Sequence, residues 1–210
     1  MTVNRYFTES YFTNCYLIQS GNNKKAMIVD PVGDSDELKE AAHDLDVLYI
    51  VNTHGHFDHI TGNSYFKENK GARIAVGKKD SAMLTDPELN LSTLFTIPVI
   101  SPAPDILFEN EEEILRLEDD VFSVMFFPGH TAGGIALYQK ENKMLFSGDF
   151  IFLDSIGRMD SPTGSIEEMK QSLERVISLP EEAAVFPGHG LPFKLGDFIR
   201  EVYPNILKEL

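Results

Sequence analysis

The chain has 210 residues, 42% hydrophobic and 24% charged, an ordinary globular composition long enough for one sizeable core, so a single domain over 1–210 is expected. Its formal net charge of −15 repels phosphate backbones and anionic lipid surfaces, which argues against nucleic-acid and membrane partners. No apolar run approaches the ~20 residues of a bilayer span, "MTVNRYFTES" has no basic-then-apolar leader, and one cysteine cannot form an intramolecular disulfide, so the expected compartment is the cytoplasm.

In chain order, "FTNCYLIQ" (12–19) and "KAMIVDP" (25–31) read as strands joined by a "SGNN" turn. "DSDELKEAAHDL" (34–45) reads as a helix with acids in its first turn, where the macrodipole favours them. "VLYIVNT" (47–53) is a β-branched apolar run, the pattern of a strand buried on both faces. A short helix over "NSYFKENKG" and a strand over "ARIAVG" follow. Residues 86–110 are proline-rich and aperiodic, which predicts a long loop or flap with Leu94 and Phe95 as candidate pocket-wall residues. The acidic run "ENEEEILRLEDD" reads as solvated surface.

Four strand-like runs come next, "EILRLE", "VFSVMFFP", "GIALYQ" and "KMLFSGD", the last pair joined by a "KEN" hairpin turn. "SIEEMKQSLERVIS" (165–178) reads as a helix opened by a Ser165/Glu168 capping box. "AAVFPGHG" reads as a strand ending in a turn, and "GDFIREVYPNILKEL" as a closing helix. Two groups of strands, each followed by helix, suit two packed sheets with helices outside them.

His54, His56, Asp58 and His59 crowd the turn after the apolar run 47–53. A helix would scatter them and a strand would split Asp58 from His59, whereas a loop can turn all four inward, with Gly55 easing the path. Imidazole plus carboxylate suits zinc, iron or manganese. Four ligands on one short loop suit two ions, with His54 and His56 on one and Asp58 and His59 on the other. Three further strand-end turns offer His130 in "PGHTAGG", Asp149 in "SGDF" and His189 in "FPGHG". Five of the six histidines therefore fall at strand ends, and His43, inside the predicted helix, is left without a role. Cys15 reads as a buried strand residue.

"THGHFDH", "PGHTAGG", "SGDF" and "FPGHG", in that order, resemble the metallo-β-lactamase superfamily, with "NCYLI" and "IVDP" extending the likeness toward the start. The resemblance implies an α/β (α+β) fold, a four-layer αββα sandwich with a dinuclear site at one edge of its sheets. Carried over by position, His54, His56 and His130 would hold the first ion, Asp58, His59 and His189 the second, and Asp149 would bridge them. Asp30 of "IVDP" would orient a ligand histidine through its ring N–H.

Two divalent ions, expected to be zinc with iron or manganese as options, can share a water and lower its pKa toward neutrality. They can also polarise a substrate carbonyl. Asp58 is the candidate catalytic group, orienting that water or taking its proton. Among branches of the family, "IGRMD" and "FPGHGLPFKLGDF" look like short bacterial glyoxalase II-like hydrolases, which cleave acylglutathione thioesters such as S-lactoylglutathione. The expected partner is thus a small acyl substrate, with the oligomeric state left open. The family's larger members bind glutathione with a C-terminal helical domain, whereas 21 of the 210 residues follow His189 here. Arg158, Lys194 and Arg200 are the cations that could substitute for it. The alternatives are a mononuclear-iron persulfide dioxygenase, which shares the histidine-rich loop, a lactonase, and a non-catalytic metal-binding protein.

Overall fold

A computed structural model describes residues 1–21, 24–33, 35–95 and 97–210, with residue 209 described by its backbone alone. Asn22 and Asn23 of the expected "SGNN" turn, Asp34 at the head of the expected first helix, and Thr96 in the expected flap lie outside the described residues.

Among the described residues, twelve strands form two six-stranded sheets. The first runs in chain order through β1 (Thr2–Phe7), β2 (Asn14–Gln19), β3 (Lys25–Val29), β4 (Asp46–Asn52), β5 (Arg73–Gly77) and β6 (Ile106–Phe108). Its first three strands are antiparallel, and β3 to β6 pair in parallel. The second contains β7 (Ile114–Leu117), β8 (Asp120–Phe126), β9 (Ile135–Gln139), β10 (Met144–Gly148), β11 (Ala184–Pro187) and β12 (Phe193–Lys194). There only the β10–β11 pair is parallel.

The period of two along a strand sorts the apolar residues into layers. Tyr16, Ile18, Met27, Val29, Val51 and Ala75 face Phe122, Val124, Leu137 and Phe146 of the opposite sheet, making the central core. The alternate residues Leu17, Ile28, Ile50 and Ile74 face outward onto Leu38 of α1 (Asp36–Ala41) and Phe66 of α2 (Asn63–Lys70). On the other side, Ala136, Leu145 and Val185 meet Met169, Leu173 and Val176 of α4 (Ile166–Val176) and Phe198 near the C-terminus. The order helix, sheet, sheet, helix is the expected αββα sandwich. Among the described residues no helix is long and apolar enough to cross a membrane.

Several local expectations need correction. β1 was not anticipated, because "TVNRYF" shows no clear alternation; it is an edge strand held by register with β2, from Thr2↔Gln19 to Phe7↔Asn14. α1 ends at Ala41, so His43 lies beyond the helix, solvent-exposed and beside Asp44. The segment 86–110 is not structureless, since it contains α3 (Ser92–Phe95) and β6. Ser165 caps α4 by accepting from the Glu168 N–H at 3.2 Å, but the box is half made: the Ser165 N–H donates to the Gly129 carbonyl at 2.9 Å. That bond ties α4 to the turn carrying His130. The closing helix is interrupted: α5 (Leu195–Asp197) passes through a π-helical turn (Phe198–Val202) into α6 (Tyr203–Glu209). Pro204 lies just after the π turn, where its missing N–H cannot continue an α ladder.

Candidate metal centre

The turns after β4, β8, β10 and β11 meet at one rim of the sandwich, and they carry every ligand candidate named from the sequence. His54 Nε2 lies 3.1 Å from His56 Nδ1, which lies 2.9 Å from His130 Nε2. His59 Nε2 stands 3.3 Å from Asp58 Oδ2 and 3.4 Å from Asp149 Oδ1. His189 Nε2 is 3.3 Å from Asp58 Oδ2 and 3.2 Å from Asp149 Oδ2, and His130 Nε2 is 3.7 Å from that same Asp149 oxygen. Asp149 thus touches histidines of both expected triads.

Hydrogen-bond bookkeeping fixes which ring nitrogens face inward. His130 Nδ1 lies 2.8 Å from the Arg158 carbonyl and His189 Nδ1 lies 2.7 Å from the Phe12 carbonyl, so both must donate there. His59 Nδ1 donates to Asp30 Oδ2 at 2.9 Å. The Thr53 hydroxyl spends its proton on Asp30 Oδ2 at 2.6 Å, so it accepts from His54 Nδ1 at 3.2 Å. Each partner leaves an Nε2 lone pair turned toward the centre, the arrangement that orients imidazole for a metal. Among the described residues, the buried side-chain atoms without a hydrogen-bond partner include His56 Nε2, His59 Nε2 and Asp149 Oδ1 at this rim. Buried polar atoms rarely stay unsatisfied, and two converging triads of N and O donors suit two divalent ions.

The electrostatics divide along the same line. Burial, reinforced by neighbouring imidazoles, holds His54 well below the ordinary histidine range and His56 down to about 3. Both stay neutral, as an imidazole must to bind a metal ion. At the other triad burial also disfavours charge, but Asp58, Asp149 and Asp30 outweigh it and raise His59, while Asp149 and Asp58 raise His189 to about 10. Burial opposes ionisation of Asp58 and Asp149, yet His59 and His189 hold both carboxyls well below their usual range. The acidic half therefore demands positive charge, from protons or from a cation. Because the folded His189 value is raised above about 6.5, its share of stability is full below that pH and is lost as pH rises through about 10. Metal-free protein should melt at progressively lower temperature between pH 7 and 10.5, and His189→Gln should flatten that slope in thermal unfolding scans.

Local sequence explains how the rim closes. Asn52 at the end of β4 donates to the His59 carbonyl at 2.9 Å and exchanges amide bonds with Asn63 of α2, bracing the loop. Gly55 serves packing rather than the tight path expected, since a Cβ there would sit 2.5 Å from Met83 Cβ. Gly148 has φ +53°, and Gly188 leaves room for Asp149, whose Oδ1 a Cβ would meet at 2.1 Å.

Not every expected residue reaches the centre. Arg158 makes a two-point ion pair with Asp160 at 2.6 and 2.8 Å, and it meets the site through its carbonyl. Lys194 pairs with Ala184 at the start of β11, about 10 Å of strand before Pro187, and the structure does not bring it to the ligands. Arg200 is engaged by Glu181 and Asp197 at that same far end. Conversely, the sequence reading missed Asp80, Thr53, Thr13 and Arg5. Asp80 lies in the short 3-10 segment directly after β5, the strand-end position that marked the candidate ligands, but the two lysines before it mask that signal. Arg5 donates to the Gly190 carbonyl at 3.0 Å, placing a guanidinium on the His189 turn.

This fold with this histidine–aspartate rim defines a class: the chain belongs to the metallo-beta-lactamase superfamily, whose family model matches residues 9–189. It is 33% identical over 181 residues to the hydroxyacylglutathione hydrolase GloC of Haemophilus influenzae, covering 84% of this chain and 85% of that protein. Among solved structures it resembles BLEG-1 B3 metallo-beta-lactamase, with TM-score 0.88 and 32% identity over 94% of this chain and 96% of the other. A di-iron-bound form of TTHA1623 gives TM-score 0.82 and 30% identity, covering 95% and 98%. ETHE1 from Myxococcus xanthus gives 0.74 and 25%, covering 95% and 82%.

Proposed function

We propose that this chain is a two-metal thioester hydrolase acting on S-acylglutathione, with S-lactoylglutathione cleaved to lactate and glutathione. The observation that carries the reading is Asp149, whose carboxylate reaches His130 on one side and His59 and His189 on the other. The hydroxyacylglutathione hydrolase relative supports the substrate class. When bound, two divalent ions, zinc first and iron or manganese as options, would supply an acidified water and polarise the thioester carbonyl. His54, His56 and His130 would hold one ion, Asp58, His59 and His189 the other, and Asp149 would join them. Asp58 would orient the attacking water through its carboxylate. Phe57, set between His56 and Asp58, stacks on the exposed Phe95 at 5.9 Å, and the pair would offer the acyl group an apolar wall. Arg5, held on the His189 turn by the Gly190 carbonyl, would be the cation to meet a glutathione carboxylate. The cytoplasm is the compartment we assign, consistent with the buried thiol of Cys15.

A mononuclear-iron persulfide dioxygenase is the second reading, and the likeness to ETHE1 favours it. It would use two histidines and one aspartate, leaving three of the converged histidines and one carboxylate without a task. The test is loss of thioester absorbance from S-lactoylglutathione with protein loaded separately with zinc, iron and manganese. Turnover supports the hydrolase. Oxygen uptake on glutathione persulfide with one bound iron supports the dioxygenase, and lactone or β-lactam cleavage without thioester turnover would transfer the site to those carbonyls.

A further inference from the structure

We propose that Thr13 positions Asp58 and thereby controls occupancy of the second ion position, an inference that rests on the two-ion reading above. Thr13 is fully buried, and its hydroxyl donates to Asp58 Oδ2 at 2.8 Å. The same oxygen stands 3.3 Å from both His59 Nε2 and His189 Nε2. A carboxylate turns about a broad, roughly two-fold torsion, so without a fixed donor its ligating oxygen has no preferred direction. Thr13 supplies that direction with one proton, because the other acceptor in range, the Tyr11 carbonyl, lies at 3.5 Å.

The surrounding chain holds the partner ligand. Thr13 forms an isolated antiparallel bridge with His189. Phe12, in the left-handed region at φ 57°, turns its carbonyl onto His189 Nδ1. The Asn14 N–H donates to the Gly188 carbonyl at 2.7 Å, its amide donates to the Pro187 and Gly190 carbonyls, and the Tyr16 hydroxyl donates to Pro187 at 2.6 Å. One stretch, 12–16, thus grips His189 through several bonds and Asp58 through a single hydroxyl. The first triad is braced by other groups, the Arg158 carbonyl on His130 and Thr53 on His54. Loss of the Thr13 hydroxyl should therefore weaken one ion position and spare the other.

The experiment is competition of zinc between the metal-free protein and a chromophoric chelator, which resolves the two affinities without measuring activity. Thr13→Val should weaken the second ion about 10–100-fold, the usual cost of losing a group that orients a ligand, with the first ion unchanged. Thr13→Ser, which keeps the hydroxyl, should stay near wild type for both. In an Asp58→Ala background, which removes the acceptor, adding Thr13→Val should cause no further loss. Thr13→Val binding two ions like wild type, or Thr13→Ser as weak as Thr13→Val, would overturn the role of the hydroxyl. Wild-type protein that takes up one ion would instead overturn the two-ion reading beneath it.

Discussion

Replacing Asp149 with alanine is expected to lower bound metal from two ions to one and to reduce thioester turnover by about 1000-fold or more, the scale of removing a principal charge-stabilising group. The reason is positional. Asp149 follows Gly148 at the end of β10, and its two oxygens reach His59 and His189 on one side and His130 on the other. No other described carboxylate touches both triads in this way; of the histidines, Asp58 contacts His59 and His189. Asp149→Asn is the useful companion, since it keeps the volume packed against Gly188 while removing the charge. Both variants should fold, retain the first ion and lose the second, as metal analysis after dialysis would show. Two tightly held ions in Asp149→Ala would contradict the role.

Asp80→Ala should be the most destabilising change near the site, lowering stability by about 3–5 kcal/mol, because it strands three buried hydrogen-bond donors at about 1–3 kcal/mol each. Asp80 is fully buried. Its carboxylate accepts from the Gly55 N–H at 3.1 Å, the Thr131 hydroxyl at 2.6 Å and the Gly133 N–H at 2.7 Å. Burial pushes its pKa up, and those three donors pull against that rise. Gly55 lies between His54 and His56, and Thr131 follows His130, so one carboxylate locks the two loops that build the first triad. Weaker binding of the first ion should therefore accompany the loss of stability. Urea unfolding of metal-free protein separates the two effects, and a shift below about 1 kcal/mol would show that the network is not structural.

Asp80 also shows where sequence reading stops. The candidate ligands were legible because each follows an apolar strand and a turn, a pattern that depends on near neighbours in the chain. "GKKD" carries the same pattern, but two lysines before Asp80 give it the look of solvated surface. What buries it is contact with Gly133, 53 positions away. β1 and β6 were illegible for a related reason: each sits at a sheet edge, where main-chain pairing rather than side-chain periodicity defines the strand. The candidate glutathione cations failed on register. Lys194 and Arg200 follow His189 closely in sequence, yet the reversal into β12 carries both to the opposite end of β11. Arg5, far from the ligands in sequence, reaches the His189 turn.

The central claim is that the rim works as a pair of ion positions joined by Asp149. Adding zinc in steps to metal-free protein, while following bound metal and S-lactoylglutathione loss in the same samples, tests it most directly. The account predicts negligible turnover up to one ion per chain and a rise as the second binds. Full turnover at one ion per chain would contradict it.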